Sequence, residues 1–322
     1  MAGKNRMHRS MLSVPGSNLE LIGQAPTLGA DVVFLDLEDG VTPADKDQAR
    51  LNIIHALRTQ DWSKCTVSVR INGLDTPQCY RDVIDVVEQA GECLDTILIP
   101  KVNDPSDVIF VVRLLEQIEM SRNMKPVGIE VLIETAPGMT RVEEIARCCP
   151  ERLEAMSFGV SDYSLSTRMR LTQTGGPIPN YTMLSDPDSE GTRHHSLVNP
   201  WHYPWSRMIA ACRANDLRPI DGPFGNIPDT EGYLAVAHSF ASLGGEGKWA
   251  VHPAQIALAN QVFTPTEKEV TRAQRIVAAY KQVQSNGRGV VTLDGRMVDA
   301  SGIRQSLAVV EKLEWLASIQ SP

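Results

Sequence analysis

Eight short apolar runs, each closed by polar or glycine-rich residues, recur through residues 11–253. They are MLSVP (11–15), DVVFLDLE (31–38), TVSVRIN (66–72), TILIPKV (96–102), IEVLIET (129–135), MSFGV (156–160), LRPIDGP (217–223) and KWAVHP (248–253). Most are almost continuously hydrophobic and rich in Val, Ile or Leu. Strands buried on both faces of a parallel sheet have this character. Helix-like stretches lie between them. After LDLEDG comes TPADKDQARLNIIHALRT, where Thr42 suits an N-cap, Pro43 the first helical position, and Ala49, Ile53, Ile54 and Leu57 share one face. YRDVIDVVEQA and PSDVIFVVRLLEQIEM repeat the pattern. Strand then helix, eight times over, predicts an α/β fold of the (β/α)₈ barrel type. An open doubly wound sheet is the competitor, but no GxGxxG follows the first strand and the strand count is eight.

Residues 165–215 break the rhythm with Gly175, Gly176, Pro177, Pro179 and a polar stretch, and read as an insertion over the barrel mouth, helical again from about Trp201. After Phe263-Thr264-Pro265 the pattern changes to a helix ending in glycines (TEKEVTRAQRIVAAYKQVQSNGRG), then VVTLDGRMVD and a last helix. The expected domains are a barrel over 1–264, with its insertion at about 165–215, and a C-terminal subdomain over 265–322. With 42% hydrophobic and 22% charged residues the chain is globular rather than disordered or fibrous. A net charge of −8 disfavours nucleic acid as a partner, so an anionic ligand must find a local basic pocket. None of the six cysteines forms a CxxC pair, which points to reduced thiols in a cytoplasmic protein. No signal-peptide pattern and no apolar stretch of ~20 residues is present, so no membrane association is expected.

Barrels carry their active sites at the C-terminal ends of their strands. Those ends offer Asp36, Glu38 and Asp39; Arg70 and Asn72; Lys101; Glu134; Ser161 and Asp162; Asp221; and His252. Convergence on one mouth explains this better than packing does. Glu134 and Asp162 come from consecutive strands and suit Mg²⁺, which takes oxygen ligands and keeps several waters; a pair of solvated or salt-bridged rim carboxylates is the plainer reading. Asp36, Glu38 and Asp39 read as a polar network holding Arg70 or Lys101 in place, and Arg70 as a partner for a carboxylate or enolate oxygen. VPGSN (14–18) puts a turn and helix caps after the first strand, a weak phosphate signal. His194, His195 and His202 fit no strong zinc spacing, and no G-x-S-x-G elbow is present.

VPGSN, VFLDLEDGVTPADKDQAR, SVRINGLDT, ILIPKV, EVLIETAPGM, EAMSFGVSDY, RPIDGPFGN, GKWAVHPAQI, NQVFTPTE and LDGRMVDASGIR, in this order from about residue 9 to 315, resemble the L-malyl-CoA/β-methylmalyl-CoA lyases of the citrate lyase β-subunit-like family. The resemblance implies a TIM barrel with a C-terminal helical lid, Mg²⁺ (or Mn²⁺), and a homotrimer or homohexamer. It implies reversible cleavage of malyl-CoA to acetyl-CoA and glyoxylate, and of methylmalyl-CoA to propionyl-CoA and glyoxylate. Glu134 and Asp162 match the metal ligands and Arg70 the arginine on the substrate carbonyl. Asp299 matches an acid/base supplied by a neighbouring subunit. Ser13, Asn18, Gln24, Ser161, Val251 and His252 fall where the family contacts the CoA thioester, along with Arg70 and Asp162. Three positions depart from the family: Gln24 stands where lysine is usual, Asn18 where arginine is frequent, and Gly40 where alanine is usual. Fewer cations imply a weaker grip on the CoA phosphates unless another base such as Arg9 compensates; Gly40 implies a looser turn. The alternatives are a (3S)-malyl-CoA thioesterase, a citramalyl-CoA lyase giving pyruvate and acetyl-CoA, and a non-catalytic CoA-binding protein.

Overall fold

The computed structural model of the protein describes residues 6–170, 173–178, 180–284 and 291–320. Pro179 and the glycine-rich stretch 285–289 lie outside the described residues. Two compact units make up the chain, Met1–Val262 and Phe263–Pro322.

In the first unit six strands alternate with helices before the insertion: β1 (Ser10–Pro15), β2 (Val32–Asp36), β3 (Thr66–Arg70), β4 (Thr96–Ile99), β5 (Gly128–Ile133) and β6 (Leu153–Phe158). The helices among them are α1 (Leu19–Gln24), α2 (Lys46–Thr59), α3 (Cys79–Ala90), α4 (Pro105–Arg122), α5 (Ala136–Thr140), α6 (Val142–Arg147) and α7 (Val160–Ser166). A short antiparallel hairpin follows, β7 (Thr182–Leu184) with β8 (His195–Leu197), in the polar insertion. Then come α8 (His202–Ala214), β9 (Arg218–Asp221), α9 (Thr230–Ser242), β10 (Gly247–Ala250) and α10 (Ile256–Val262). The strands β1-β10-β9-β6-β5-β4-β3-β2 close into one barrel in which every pairing is parallel.

Local chemistry sets the helix ends. Asp104 caps α4 by accepting from the Ser106 N–H at 2.7 Å, Asp107 reciprocates to the Asp104 N–H at 3.2 Å, and Pro105 takes the first position. At α2 the expected cap fails. A tight turn at 43–45 precedes the helix, and Thr42 donates its hydroxyl to Asp45 Oδ2 at 2.7 Å instead of accepting a backbone N–H. The expected inner face of α2 is buried at Ala49, Ile53, Ile54 and Leu57.

Met11, Val32, Phe34, Leu98, Leu132, Ala155, Ile220 and Trp249 form one apolar cluster in the barrel. Toward the N-terminal ends of the strands lie charged groups. His8 Nε2 is 3.0 Å from Glu130 Oε1, both side chains fully buried. Arg6 reaches Glu154 at 3.3 Å and also bonds Asp95. Arg9 is tied to Asp31 at 2.8 Å. The chain segment before β1 thus closes that end of the barrel with ion pairs.

The second unit holds α11 (Glu267–Gln284), the antiparallel hairpin β11 (Val291–Leu293) and β12 (Arg296–Val298), and α12 (Ala300–Gln320). The hairpin turns through Asp294 and Gly295, whose φ values of 51° and 73° are those a two-residue hairpin loop needs. Ile276, Val298 and Ile303 form its small core, with Tyr280 and Leu293 packed against them.

Candidate active site

Register brings the first two functional side chains together: Asp36 at the end of β2 lies opposite Arg70 at the end of β3. Arg70 donates Nε–H to Asp36 Oδ1 at 2.7 Å and Nη2–H to Oδ2 at 2.6 Å. Its Nη1 stands 3.2 Å from Glu38 Oε2. The guanidinium carbon lies 5.6 Å from the ring centres of both Phe34 and Trp249, at the top of the apolar cluster. Planar bidentate pairing over aromatic rings fixes the group in direction as well as in place. Burial works against the Asp36 carboxylate. The Arg70 charge and hydrogen bonds, with the N–H groups of Glu38 and Gly40, outweigh it and hold the pKa below the ordinary value.

Glu134 follows β5 and Asp162 sits in the first turn of α7, after β6. Glu134 is almost fully buried and Asp162 half-buried. Burial, and then the charge of Asp162, push the Glu134 carboxyl well above its usual pKa, against the opposing pull of Arg70. Glu134 Oε1 accepts the Lys101 backbone N–H at 2.8 Å. Lys101 Nζ bonds Glu38, lies 3.3 Å from Asp39 Oδ2 and 3.9 Å from Asp162 Oδ1. Gly159 faces this pair. A Cβ there would fall 2.2 Å from Glu134 Oε2, so any side chain would displace the carboxylate. At Gly40 a Cβ would fall 2.4 Å from Asp36 Oδ2, so the residue does more than loosen a turn: it leaves room for the clamp on Arg70.

Five carboxylates (Asp36, Glu38, Asp39, Glu134, Asp162) thus share the β2–β6 side of the mouth with Arg70 and Lys101. A glutamate pushed toward its neutral form by burial and by an adjacent aspartate is short of positive charge. A divalent cation supplies that charge. Mg²⁺ binds through one or two carboxylates and fills its other positions with water or substrate oxygen. Among the described residues no group of three or more His, Cys, Asp or Glu could hold a metal ion, which leaves no closed zinc-type cage there. Glu134 and Asp162 therefore fit an open Mg²⁺ site.

The expected CoA-contacting residues lie in the connections after β1, β6 and β10, or at the end of β1 itself. Ser13 is half-buried in β1. Asn18 caps α1, its Oδ1 accepting the Leu21 N–H at 3.0 Å. Gln24 is exposed at the end of α1, 3.4 Å from Glu20 Oε1. Ser161 donates to Thr174 Oγ1 at 3.1 Å. The Val251 N–H donates to Gln255, and His252 is exposed, accepting the Ala254 N–H at 3.2 Å. Arg9 is not among them: it precedes β1, is spent on Asp31 at the far end of the barrel, and cannot make up for Gln24.

Two rim expectations are corrected. Asp221 points out of the barrel, where it is buried against Lys248 with the Trp205 indole near it. Asn72 gives both its N–H and its amide to Asp82 of α3, at 2.9 and 2.6 Å. Both brace the helical layer. Asp299 lies in the second unit and is exposed; it caps α12, accepting the N–H groups of Ser301 and Gly302 at 3.0 Å each. Sequence reasoning missed Phe34, Trp249 and Gly159. Phe34 was open to discovery, since it lies two residues before Asp36 and so shares its face of the strand.

Residues 9–253 match the family model described as HpcH/HpaI aldolase/citrate lyase. The chain belongs to this family. It is 48% identical over 314 residues to an L-malyl-CoA/β-methylmalyl-CoA lyase of Cereibacter sphaeroides, covering 97% of this chain and 96% of the relative. It is 35% identical to the malyl-CoA/β-methylmalyl-CoA/citramalyl-CoA lyase of Chloroflexus aurantiacus, covering 89% of this chain and 82% of the relative. Among solved structures it resembles the citrate lyase β subunit of M. tuberculosis complexed with oxaloacetate and magnesium, with a TM-score of 0.60 and 25% identity over 80% of this chain and 98% of that one.

Proposed function

We propose that the protein is a Mg²⁺-dependent carbon–carbon lyase that cleaves L-malyl-CoA to acetyl-CoA and glyoxylate, reversibly, and acts likewise on β-methylmalyl-CoA. The observation that carries this is the Glu134–Asp162 pair, with Glu134 buried and Asp162 half-buried, short of positive charge and set beside a clamped Arg70. A family whose members include malyl-CoA lyases, one of them 48% identical, supports the choice of substrate.

When bound, the cation supplies a Lewis acid that polarises the oxygens of the two-carbon fragment. The chain's own residues do the rest. Glu134 and Asp162 hold the cation, and Lys101 holds Glu134 through its N–H. Asp36 and Glu38 take part of the Arg70 fork, and its remaining N–H donors face the substrate carbonyl. Hydrogen bonds already aimed there stabilise the negative charge that collects on the thioester oxygen as the C–C bond breaks. In cleavage the substrate hydroxyl gives its proton to a base as the C–C bond breaks, and Asp299 of a neighbouring copy protonates the enolate carbon; in condensation Asp299 removes the methyl proton and the new alkoxide takes a proton back. Its exposure on its own unit leaves it free to serve another chain. This makes the working form a homo-oligomer, a trimer or a hexamer. Ser13, Asn18, Gln24, Ser161, Val251 and His252 meet the CoA portion. Six free cysteines fit a reducing, cytoplasmic setting, and no helix among the described residues is long and apolar enough to cross a membrane.

The test is a cleavage assay over malyl-, methylmalyl- and citramalyl-CoA with the keto acid trapped. Glyoxylate with acetyl- or propionyl-CoA supports the proposal. Malate with free CoA thiol would make the protein a thioesterase, and pyruvate would make it a citramalyl-CoA lyase, an activity named for the Chloroflexus relative.

A further inference from the structure

Lys101 has φ +51°, in the left-handed region that a residue with a Cβ enters only at a cost. Nothing in a β-to-α connection requires that conformation, so something holds it. On one side Pro100 fixes its own φ near −65°. On the other, Val102 is fully buried, and its carbonyl packs so closely on α5 that a Cβ at Gly138 would lie 2.2 Å from it. Thr135 adds a hydrogen bond to Asn103 at 2.8 Å. Between these anchors the Lys101 peptide N–H points at Glu134 Oε1, 2.8 Å away. The ammonium reaches Glu38 and Asp39 and stands 3.9 Å from Asp162 Oδ1.

We infer that Lys101 is a positioning residue: its backbone, held left-handed between Pro100 and the buried Val102 with its ammonium tied to Glu38 and Asp39, turns its N–H onto the Glu134 carboxylate and fixes it beside Asp162. One residue thereby links the Arg70 clamp, through Glu38, to the metal pair, through Glu134. The inference rests on the metal reading proposed above. Its distinctive claim is that the backbone conformation at this position, and not only the positive charge, sets metal affinity.

Four substitutions separate the two. K101G and K101N remove the ammonium but accept the left-handed region readily; K101A and K101M remove it and resist that region. Each would be titrated with Mg²⁺ by calorimetry, without substrate, alongside a thermal melt of the metal-free protein. The second member of each pair stands in if the first does not fold. Supporting residues of metal ligands carry ~10–100-fold in metal affinity. K101A and K101M are therefore expected to bind Mg²⁺ on the order of tenfold more weakly than K101G and K101N, at comparable melting temperatures. Equal affinities in all four would overturn the inference. E134Q serves as the reference. If the unsubstituted protein binds Mg²⁺ and E134Q does not, a null result in the Lys101 series sinks this inference alone. If the unsubstituted protein binds no Mg²⁺, the metal reading falls with it.

Discussion

Replacing Asp36 by asparagine tests the Arg70 clamp with the smallest change of shape. Each Asp36 oxygen accepts two hydrogen bonds. Oδ1 takes Arg70 Nε–H at 2.7 Å and the Glu38 N–H at 2.8 Å; Oδ2 takes Arg70 Nη2–H at 2.6 Å and the Gly40 N–H at 2.9 Å. An amide has one oxygen. Whichever way the new side chain turns, its NH₂ meets two donors head-on, one of them on a guanidinium that is itself buried. Hydrogen bonds to charged groups are worth ~1.5–3 kcal/mol each, so two lost bonds amount to about 3–6 kcal/mol. If the loss falls on stability, about 2 °C per kcal/mol for a domain of this size gives a Tm lower by about 6–12 °C. If Arg70 swings away instead, an oxyanion donor is lost and kcat falls by ~10²–10³. Thermal melts and steady-state cleavage kinetics on the same preparation read both. D36N with Tm within about 1 °C and kcat within about twofold of the parent would refute the clamp, because each route to relief moves at least one of them.

Other predictions lie away from the clamp. Q24K adds a cation at the end of α1 and should lower KM for the acyl-CoA by about 2–5-fold with kcat unchanged, the worth of one exposed charge-assisted contact to phosphate. H8A removes one of the two hydrogen-bond partners of the buried Glu130 carboxylate, leaving Thr96, and should destabilise the barrel by about 1.5–3 kcal/mol in urea unfolding. Activity per folded molecule should hold, since the apolar cluster around Phe34 and Trp249 separates that end from the site. Burial pushes the Glu154 carboxyl up to about 7, with Arg6 and Arg218 opposing and Glu130 adding to the rise. Between the ordinary carboxylate pKa and about 7 the folded state therefore binds the extra proton, and stability falls as pH rises through that window. The integrated loss is roughly 3 kcal/mol, and E154Q, neutral at every pH, should show a flatter pH–stability profile than the parent.

The barrel was legible because parallel strands covered on both sides must be apolar throughout, and eight such runs left no other closed arrangement. β6 begins at Leu153, three residues before the run MSFGV suggests, because Glu154 interrupts the apolar pattern. That carboxylate is buried beside Arg6 and Arg218, a pairing across 148 and 64 residues of chain that no local pattern displays. The hairpin of β7 and β8 went unseen because both strands are largely exposed and show no alternation. At the rim, sequence position gave which residues end the strands but not which way they face. Arg70, Glu134 and the Asp36–Asp39 cluster turn into the mouth, whereas Asp221 turns outward to Lys248 and Asn72 to Asp82. At Asp221 the alternation of the strand decides this, because its neighbour Ile220 faces the barrel core, and partners distant in sequence reveal it. The left-handed backbone of Lys101 was equally hidden, since lysine gives no sign of it.

In the proposed mechanism C–C cleavage depends on a divalent cation held by Glu134 and Asp162. The most direct test follows glyoxylate release from L-malyl-CoA by protein stripped with a chelator, before and after Mg²⁺ is restored, for the parent and E134Q. The expected result is no release without the metal, full release of glyoxylate with acetyl-CoA when it returns, and no recovery by E134Q at Mg²⁺ concentrations that saturate the parent. Glyoxylate release by the stripped protein, or full Mg²⁺-dependent activity in E134Q, would contradict it.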